Sequence, residues 1–511
     1  MSHPRGILIL DFGSQLTQLI ARRLRELGYY TEIRPFNIST EEIRKHHPYG
    51  IILSGGPHSV YEENSPQRSD LKELLQDYPL LGICYGMQLL SYSLGGKVSK
   101  AEHREYGFNQ VTWDHTLPEV GGSQKVWMSH GDFVDKLPEG WELYAHSESG
   151  HPAAMGYQER ALAVQFHPEV AHTQQGEKIL LHFARNMAKA SQNWKMDDLI
   201  QELKNDILEK VQPDDHVLVG LSGGVDSTVV ATLLTQVLGA ERVHCIFVNN
   251  GLLRKGEYEE VLKAYQGLGL NIKPVDASQE FLQALHGVSD PEIKRKTIGR
   301  VFIEVFEKAI DSRDKIKWLA QGTLYPDVIE SVSPNGASVT IKSHHNVGGL
   351  PEKMKLKLLE PVRELFKDEV RRLGLKLGLA ENLIWRHPFP GPGLAIRVVG
   401  EITAEKLFIL READKVYIDF LREKNLYGKI WQAFAVLLPI HSVGVMGDGR
   451  TYEQVLALRA VTSFDGMTAD WYPFAFEELR EVSNRITNKV KGINRVVYDV
   501  TSKPPGTIEW E

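Results

Sequence analysis

Short apolar runs alternate with amphipathic stretches along the first third of the chain. Four apolar runs are predicted to be buried strands: Ile7–Leu10, Ile51–Leu53, Leu80–Cys84 and Ala161–Phe166. Two amphipathic stretches, Leu16–Leu27 and Met87–Leu94, are predicted to be helices, and a glycine follows each of them, as is common at helix C-termini. This alternation is typical of an α/β domain built around a mainly parallel or mixed sheet.

A second α/β pattern follows a predicted polar helix around Asp197–Lys210 and a break at Pro213-Asp214-Asp215. The stretch HVLVGLSGGVDSTVVATLLTQVLG, His216–Gly239, predicts a strand, a tight glycine turn and a helix. The apolar run Val243–Val248 predicts the next strand. Farther on, Ser331–Pro351 is rich in serine, glycine, histidine and asparagine without periodicity, which predicts a mobile loop.

The segment RHPFPGPGLAIR, Arg386–Arg397, predicts a proline- and glycine-rich hinge into a third region. That region mixes helices with strands such as Arg495–Val500. The predicted architecture is therefore two consecutive α/β domains with mainly parallel sheets, followed by a smaller α+β domain. The predicted domain bounds are residues 6–194, 195–386 and 387–511.

Composition narrows the class of protein. The chain has 511 residues with a formal net charge of -7, which argues against nucleic acid or an anionic membrane surface as the main partner. Its two cysteines, Cys84 and Cys245, exclude a disulfide framework or a cysteine-rich metal site. Because Asp11 interrupts the first apolar run and no apolar run is long enough to span a bilayer, neither a signal peptide nor a membrane span is expected. The expected location is the cytoplasm.

The segment Gly82-Ile83-Cys84-Tyr85-Gly86 lies at the junction of a predicted strand and helix. It has the pattern of a nucleophile elbow with cysteine in place of serine, and the helix N-terminus favours the thiolate. A thiolate nucleophile needs a base and a group that orients the base. The run AVQFHPEV supplies His167 and Glu169 for these roles, and Gly55-Gly56 offers backbone N–H groups to an oxyanion.

These segments resemble the class I (triad) glutamine amidotransferases, which use C-x-G-x-Q and H-P-E segments to hydrolyse glutamine through a thioester and release ammonia. The resemblance covers roughly the first third of the chain. It implies that Cys84, His167 and Glu169 are catalytic. It also implies an oxyanion and glutamine-binding set: Gly56, Tyr85, Gln88, Ser129 and His130.

The glycine loop of the second domain lacks the lysine of the common phosphate loop. Backbone N–H groups and the serine hydroxyls of Ser222–Thr228 can surround phosphate oxygens at a helix start. Without the lysine, attack at the α-phosphorus with pyrophosphate as leaving group is favoured. The sequence Ser222-Gly223-Gly224-Val225-Asp226-Ser227, continued by Thr228, resembles the signature of the N-type ATP pyrophosphatases, in which Asp226 would shape the loop or serve a metal.

An ammonia-releasing domain joined to an adenylating domain predicts an enzyme that activates an oxygen as its AMP ester and displaces AMP with ammonia. One alternative is a tRNA-thiolating enzyme of the same ATPase class. Such enzymes usually need cysteines beside the ATP site, whereas Cys245 lies inside a predicted strand. The other alternative is that the first domain is a degenerate regulatory module. Its complete set of Cys, His and Glu residues argues against this alternative.

From end to end, the order of domains and the segments GPGLAIR, GDGRTYE and TSKPPGTIEWE resemble the glutamine-hydrolysing GMP synthases. The resemblance implies conversion of xanthosine monophosphate (XMP) to GMP with ATP, Mg²⁺ and glutamine. It also implies a homodimer formed through the C-terminal domain. Six residues are the implied XMP contacts: Arg300, Gln432, Arg495, Lys503, Ile508 and Glu509. Arg295 and Lys296 lie in the same basic run as Arg300, and His344-His345 is interpreted as part of a mobile lid over the ATP site rather than as a metal site.

Overall fold

The computed structural model describes residues 4–170, 172–309, 315–332, 356–446, 449–463, 469–503 and 505–511. These residues form two compact units. The first contains the residues up to Leu199 and residues 329–332, and the second contains Ile200–Val328 and residues 356–511. No helix in the described part of the chain is long and apolar enough to cross a bilayer.

The first unit is built on a nine-stranded sheet with the strand order β2-β1-β3-β4-β9-β8-β7-β5-β6. Its strands are β1 Ile7–Asp11, β2 Thr31–Pro35, β3 Gly50–Leu53, β4 Leu80–Ile83, β5 Lys97–Leu117, β6 Val120–Lys136, β7 Glu142–Ser147, β8 Pro152–Tyr157 and β9 Ala161–Val164. Its helices are α1 Thr17–Glu26, α2 Thr40–His46, α3 Leu71–Asp77, α4 Tyr85–Ser93 and α5 Gly176–Leu181. The polar helix α6 Met196–Lys210 crosses the division between the units.

Strand pairing divides this sheet into a parallel and an antiparallel part. Strands β2, β1, β3, β4 and β9 are parallel, and the four predicted apolar runs are all among them. Strands β8, β7, β5 and β6 are antiparallel and were not predicted. Because β5 and β6 are long and rich in polar residues, they lack the short apolar run that identifies a strand buried on both faces.

The second unit begins with a five-stranded parallel sheet of order β12-β11-β10-β13-β14. Its strands are β10 His216–Leu221, β11 Val243–Asn249, β12 Ile272–Asp276, β13 Ile316–Ala320 and β14 Lys357–Leu359. The helices around it are α7 Val225–Leu238, α8 Glu257–Tyr265, α9 Ser278–Ala284, α10 Pro291–Ala309, α11 Tyr325–Val332, α12 Lys367–Lys376 and α13 Glu381–Ile384. The chain leaves β10 on one side and returns on the other, so the C-terminal end of β10 is a topological switch point, where α/β sheets bind ligands.

The C-terminal region adds a smaller α+β layer to the same unit. Its elements are α14 Ala404–Glu423, β15 Gln432–Met446, β16 Gly449–Thr462, β17 Asp470–Trp471, α15 Phe476–Lys489 and β18 Ile493–Tyr498. Strands β15, β16 and β17 are antiparallel, and β18 pairs in parallel with β16. One hydrophobic cluster contains Leu218 of β10, Ile298 of α10 and Leu456 of β16, so this layer and the five-stranded sheet share a core.

Most predicted elements of the second unit are observed. The strand, glycine turn and helix of His216–Gly239 are β10 and α7 with Gly223 and Gly224 between them, and the strand expected at Arg495–Val500 is Ile493–Tyr498. Of the predicted mobile loop, Ser331 and Val332 end helix α11. The rest of the loop, with His344-His345, lies outside the described residues.

Candidate functional site

A sharp turn places Cys84 between strand β4 and helix α4. The φ angle of Cys84 is 52°, in the left-handed region that side-chain-bearing residues rarely adopt. A Cβ atom on Gly86 would lie 2.3 Å from the Leu53 carbonyl oxygen, and one on Gly82 would lie 2.7 Å from the Gly86 carbonyl oxygen. Both glycines are therefore required by the close packing of the turn, which is the geometry of a nucleophile elbow.

His167 and Glu169 follow strand β9 and form a buried pair with Cys84. The His167 Nδ1 and Glu169 Oε1 atoms are 2.8 Å apart, and the two residues are 4% and 1% exposed. Burial alone would lower the pKa of His167. The Glu169 carboxylate and the Cys84 side chain beside the ring outweigh burial and raise that pKa to about 10. The site therefore favours an imidazolium next to the cysteine sulfur.

The main chain around this pair is fixed by hydrogen bonds. The His167 N–H donates to the Trp127 carbonyl at 3.0 Å, and the Thr173 hydroxyl donates to the His167 carbonyl at 2.6 Å. Because Nδ1–H donates to Glu169, Nε2 is left for the thiol, which is the arrangement of a nucleophile, base and orienting carboxylate. The chemistry that this array supports is formation and hydrolysis of a thioester.

The predicted oxyanion and glutamine-binding residues surround the turn. A Cβ on Gly56 would lie 3.3 Å from the ring of Tyr85, so the Gly55-Gly56 turn packs directly against the start of α4. The N–H groups at that start have no acceptor within the helix and are available to an oxyanion. The Gln88 side chain donates to the Asp132 carbonyl at 3.0 Å, which leaves its amide oxygen for a ligand.

Strand β6 brings Ser129 and His130 to the same place. The Cys84 thiol donates to the Ser129 carbonyl at 3.7 Å. His130 is buried, with Nδ1 2.9 Å from the Asp132 carbonyl oxygen and Nε2 3.1 Å from Glu105 Oε2. Burial alone would raise the pKa of Glu105, but hydrogen bonds from His130 and nearby serines lower it to about 2. Glu105 is a site residue that sequence reasoning missed, because it reaches His130 only through the register of β5 and β6.

The glycine loop lies at the end of β10. Gly223 has a φ of 77°, and Gly224 is the N-cap of helix α7. The Ser222 and Ser227 hydroxyl oxygens are 3.2 Å apart, and the Gly224 N–H donates to the Ser222 hydroxyl at 3.2 Å. The loop therefore gathers hydroxyls and N–H groups at a helix N-terminus, which is an anion-binding arrangement.

A lysine from a distant helix supplies the cation that the loop lacks. Lys367, at the start of α12, forms an ion pair with Asp226 Oδ2, whereas Asp226 Oδ1 is buried and has no hydrogen-bond partner among the described residues. Arg386 adds a second cation: it donates to the Gly223 carbonyl at 3.3 Å and to Glu257 Oε1 at 2.8 Å. Sequence reasoning missed both residues, and the only local signal was that the loop itself lacked a cation.

Four of the six predicted acceptor contacts lie together near the tail. Gln432 Nε2 donates to Glu509 Oε1 at 2.7 Å, and Ile508 is buried in the adjoining hydrophobic cluster. Lys503 is held to Ala469 by two backbone hydrogen bonds of 2.7 and 3.0 Å. Arg459, which sequence reasoning missed, is fully buried and donates to the carbonyls on either side of this segment, those of Thr501 and Thr507.

Arg300 and Arg495 are placed differently. Arg300 is an exposed residue of α10 that pairs with Glu304 at 2.6 Å. From the same basic run, Lys294 and Arg295 are the residues that contact Glu511. Arg495 is exposed on β18, opposite Val455 of β16 in the strand register.

Three family models match consecutive parts of the chain. The glutamine amidotransferase class-I model matches residues 8–187, the NAD synthase model matches residues 196–299, and the GMP synthase C terminal domain model matches residues 419–510. A GMP synthase [glutamine-hydrolyzing] of Bdellovibrio bacteriovorus is 70% identical over 507 residues, covering 99% of this chain and all of the relative.

The chain belongs to the glutamine-hydrolysing GMP synthase family. The GMP synthase [glutamine-hydrolyzing] of Brachyspira hyodysenteriae is 54% identical over 512 residues, with 99% of each chain covered. The crystal structure of a GMP synthase subunit from Thermoplasma acidophilum is 32% identical, with a TM-score of 0.31, over 37% of this chain and 94% of its own.

Membership of the GMP synthase family fixes the reaction. The enzyme aminates XMP to GMP: glutamine hydrolysis yields ammonia, ATP adenylates the base oxygen with release of pyrophosphate, and ammonia displaces AMP. ATP, XMP and glutamine are its small-molecule substrates. The alternatives of a tRNA-thiolating enzyme and of a degenerate regulatory first domain are therefore set aside.

Proposed function

We propose that Cys84, His167 and Glu169 hydrolyse glutamine and that Ser222–Thr228 with Lys367 binds ATP. The observation that carries this assignment is the presence of two complete reactive arrays in separate units. In the first, Cys84 attacks the glutamine amide carbon, and His167 gives its proton to the departing ammonia. Water, deprotonated by His167, then hydrolyses the thioester to glutamate.

Further residues of the first centre bind glutamine and its oxyanion. The N–H groups of Gly56 and Tyr85 stabilise the oxyanion that forms on the amide carbon. The Gln88 amide oxygen and the backbone at Ser129 and His130 hold the substrate. Support comes from the Gly56–Tyr85 packing and from the 3.7 Å contact between the Cys84 thiol and the Ser129 carbonyl.

In the second centre, the hydroxyls of Ser222 and Ser227 and the N–H groups of the loop bind the phosphates of ATP. Lys367, which pairs with Asp226, moves to the phosphate oxygens when ATP binds, because a phosphate carries more charge than one carboxylate. The cation missing from the loop is thus contributed by α12, and pyrophosphate leaves when the XMP base oxygen attacks the α-phosphorus.

Mg²⁺ is proposed as the cofactor of this centre. Asp226 fits a hard cation, because its Oδ1 is buried without a hydrogen-bond partner among the described residues. In the described part of the chain no three His, Cys, Asp or Glu side chains form a metal cluster, so phosphate oxygens would supply the remaining ligands. When bound, Mg²⁺ would neutralise the charge that develops on the pyrophosphate.

The acceptor site is proposed at the tail, formed by Gln432, Lys503, Ile508 and Glu509, and Arg495 of β18 stays a predicted contact. Lys503 binds the XMP phosphate and Glu509 accepts hydrogen bonds from the base. Support comes from the Gln432–Glu509 contact and from Arg459, which holds the carbonyls of Thr501 and Thr507 in the segment that contains Lys503. Arg300 also stays a predicted contact.

The test compares Lys367→Ala with Lys367→Arg in two assays on the same preparations. Pyrophosphate release with XMP, ATP, Mg²⁺ and ammonium should fall about 10²-fold in Lys367→Ala and recover in part in Lys367→Arg. Glutamine hydrolysis without nucleotides should not change in either variant. Pyrophosphate release at the parent rate in Lys367→Ala would remove α12 from the ATP site.

We also propose three domains with bounds 6–194, 195–386 and 387–511, and a cytoplasmic location.

We further propose a homodimer formed by the third domain. An exposed apolar face of β15 and β16 supports the dimer: Val443, Val445 and Tyr452 are 45%, 77% and 70% exposed. A second copy of this chain would cover them. Val445→Asp should lower the sedimentation coefficient from the value of a dimer to that of a monomer. A parent protein that sediments as a monomer would refute the proposal.

A further inference from the structure

A buried guanidinium lies behind the tail carboxylate that we assign to the acceptor base. Arg397 ends the short 3₁₀ turn Gly393–Arg397 and is 0% exposed. Its Nε and Nη2 atoms donate to the two oxygens of Glu509 at 3.1 and 2.9 Å. Gln432 donates to one of the same oxygens. A bidentate guanidinium and an amide together fix the plane of the Glu509 carboxylate.

Two aromatic rings hold the guanidinium itself. The Arg397 Cζ atom lies 4.1 Å from the centroid of the Phe434 ring and 5.1 Å from that of Phe389. Phe434 is fully buried in β15, two residues after Gln432. Because stacking on an aromatic face restricts the guanidinium, its orientation is set before any ligand binds.

Packing alone does not account for this charge. Arg397 Nη1 is enclosed and has no hydrogen-bond partner among the described residues, which is unfavourable for a buried donor. Buried ion pairs are also often no more stabilising than apolar side chains of similar volume. The Glu509 side chain, in contrast, is 19% exposed, so the carboxylate that Arg397 holds can still reach a ligand.

We propose that Arg397 is a positioning residue of the acceptor site. It orients Glu509 so that the Oε2 lone pair not used by Arg397 faces the N–H edge of the purine base. Arg397 does not itself contact the nucleotide, and the inference rests on the proposed role of Glu509. Replacement of Arg397 should therefore raise the KM for XMP and leave the ATP and glutamine sites unchanged.

A second ion pair on the same tail provides a matched control. Lys294 of α10 is 0% exposed and forms an ion pair with Glu511, two residues beyond Glu509. It also donates to the Ala395 and Val398 carbonyls at 3.1 and 2.8 Å. Glu511→Gln disturbs the anchoring of the tail without changing the groups that contact Glu509.

The experiment measures ammonium-dependent GMP formation with XMP varied and ATP saturating. The variants are Arg397→Met, Arg397→Lys, Glu509→Gln, the Arg397→Met/Glu509→Gln double variant and Glu511→Gln. Arg397→Met should raise the KM for XMP about tenfold to a hundredfold, and Arg397→Lys, which keeps the charge but loses the bidentate geometry, should raise it less. The double variant should be no worse than Glu509→Gln alone, because both substitutions remove one interaction. The KM for ATP and nucleotide-free glutaminase should stay at parent values.

Circular dichroism and thermal denaturation identify the folded variants. If Arg397→Met does not fold, the KM of Arg397→Lys for XMP is used instead. The inference would be overturned if folded Arg397→Lys and Arg397→Met kept the parent KM for XMP while Glu509→Gln raised it. That result would still support the proposed acceptor site. A rise in Glu511→Gln as large as in Arg397→Met would also overturn it, because general tail anchoring would then explain both. An unchanged KM in Glu509→Gln would refute the proposed acceptor role of Glu509, and the inference with it.

Discussion

The two reactive centres differ in how deeply their functional residues are buried. In the first unit, Cys84, His167 and Glu169 are each no more than 4% exposed, and His167 Nδ1 lies 2.8 Å from Glu169 Oε1. In the second unit, Ser222 is exposed, and most of the glycine loop is half-buried. There, the opposite charges of Lys367 and Asp226 pair with each other at the edge of the loop.

This difference follows from the two chemistries. A covalent nucleophile needs its proton positions set in advance, which requires fixed hydrogen bonds in a water-excluded site. A phosphate-binding loop supplies N–H groups and cations that ATP itself completes. Substitutions in the first centre should therefore abolish one activity outright, whereas substitutions in the second should have graded effects.

The largest expected effect separates the centres completely. Cys84→Ala should lower glutamine-dependent GMP formation by about 10⁴-fold or more, because no other group can form the thioester. Ammonium-dependent formation should remain. The matched control is Cys245→Ala, since burial raises the pKa of that β11 thiol to about 12 and leaves it unreactive. Loss of both activities in a folded Cys84→Ala protein would contradict two independent centres.

The second prediction concerns the charge behind His167. Glu169→Gln should lower glutaminase kcat/KM by about 10²- to 10⁴-fold. Because the carboxylate helps to raise the His167 pKa to about 10, the parent should keep its imidazolium until the pH rises through that value. In the variant this alkaline loss of activity should move to lower pH. A pH–rate profile tests the shift against the exposed Glu177→Gln control, and an unmoved alkaline limb would show that Glu169 does not act on His167.

The third prediction concerns the carboxylate of the glycine loop. Asp226→Asn should reduce XMP-dependent exchange of pyrophosphate into ATP by about 10²-fold, because it removes the charge that pairs with Lys367 and that would hold the proposed Mg²⁺. The fall should be equal with glutamine or ammonium as nitrogen donor, since activation precedes amination. The exposed Asp214→Asn serves as control. Exchange at the parent rate in Asp226→Asn would mean that the loop does not bind ATP in the proposed way.

The smallest expected effect is at the acceptor. Lys503→Ala removes a charge-assisted contact worth about 1.5–3 kcal/mol, or roughly tenfold to a hundredfold in XMP affinity. ATP affinity and basal glutaminase should change little, and the exposed Lys489→Ala should match the parent. Titration of XMP against the folded variant makes the measurement. Unchanged affinity would exclude Lys503 from the acceptor site.

What the sequence predicted well were features made by neighbouring residues. Three such features each occupy a single short segment: Cys84 with its flanking glycines, His167 with Glu169, and Ser222–Thr228. In each of them, the backbone geometry and the side-chain chemistry are specified within a few residues. The parallel strands were equally clear, because strands buried on both faces are short continuous apolar runs. The antiparallel strands β5 and β6 gave no such signal.

What only the tertiary structure decided were partners that meet across elements. Glu105 reaches His130 through strand register, Lys367 reaches Asp226 across 141 residues of chain, and Arg397 reaches Glu509 across 112. Helical phase explains the different surroundings of Arg295 and Arg300: five residues beyond Arg295, which contacts Glu511, Arg300 is turned by roughly 140° around α10 and contacts Glu304. Local pattern specifies which chemical groups a segment carries, but the packing of distant segments determines which groups they face.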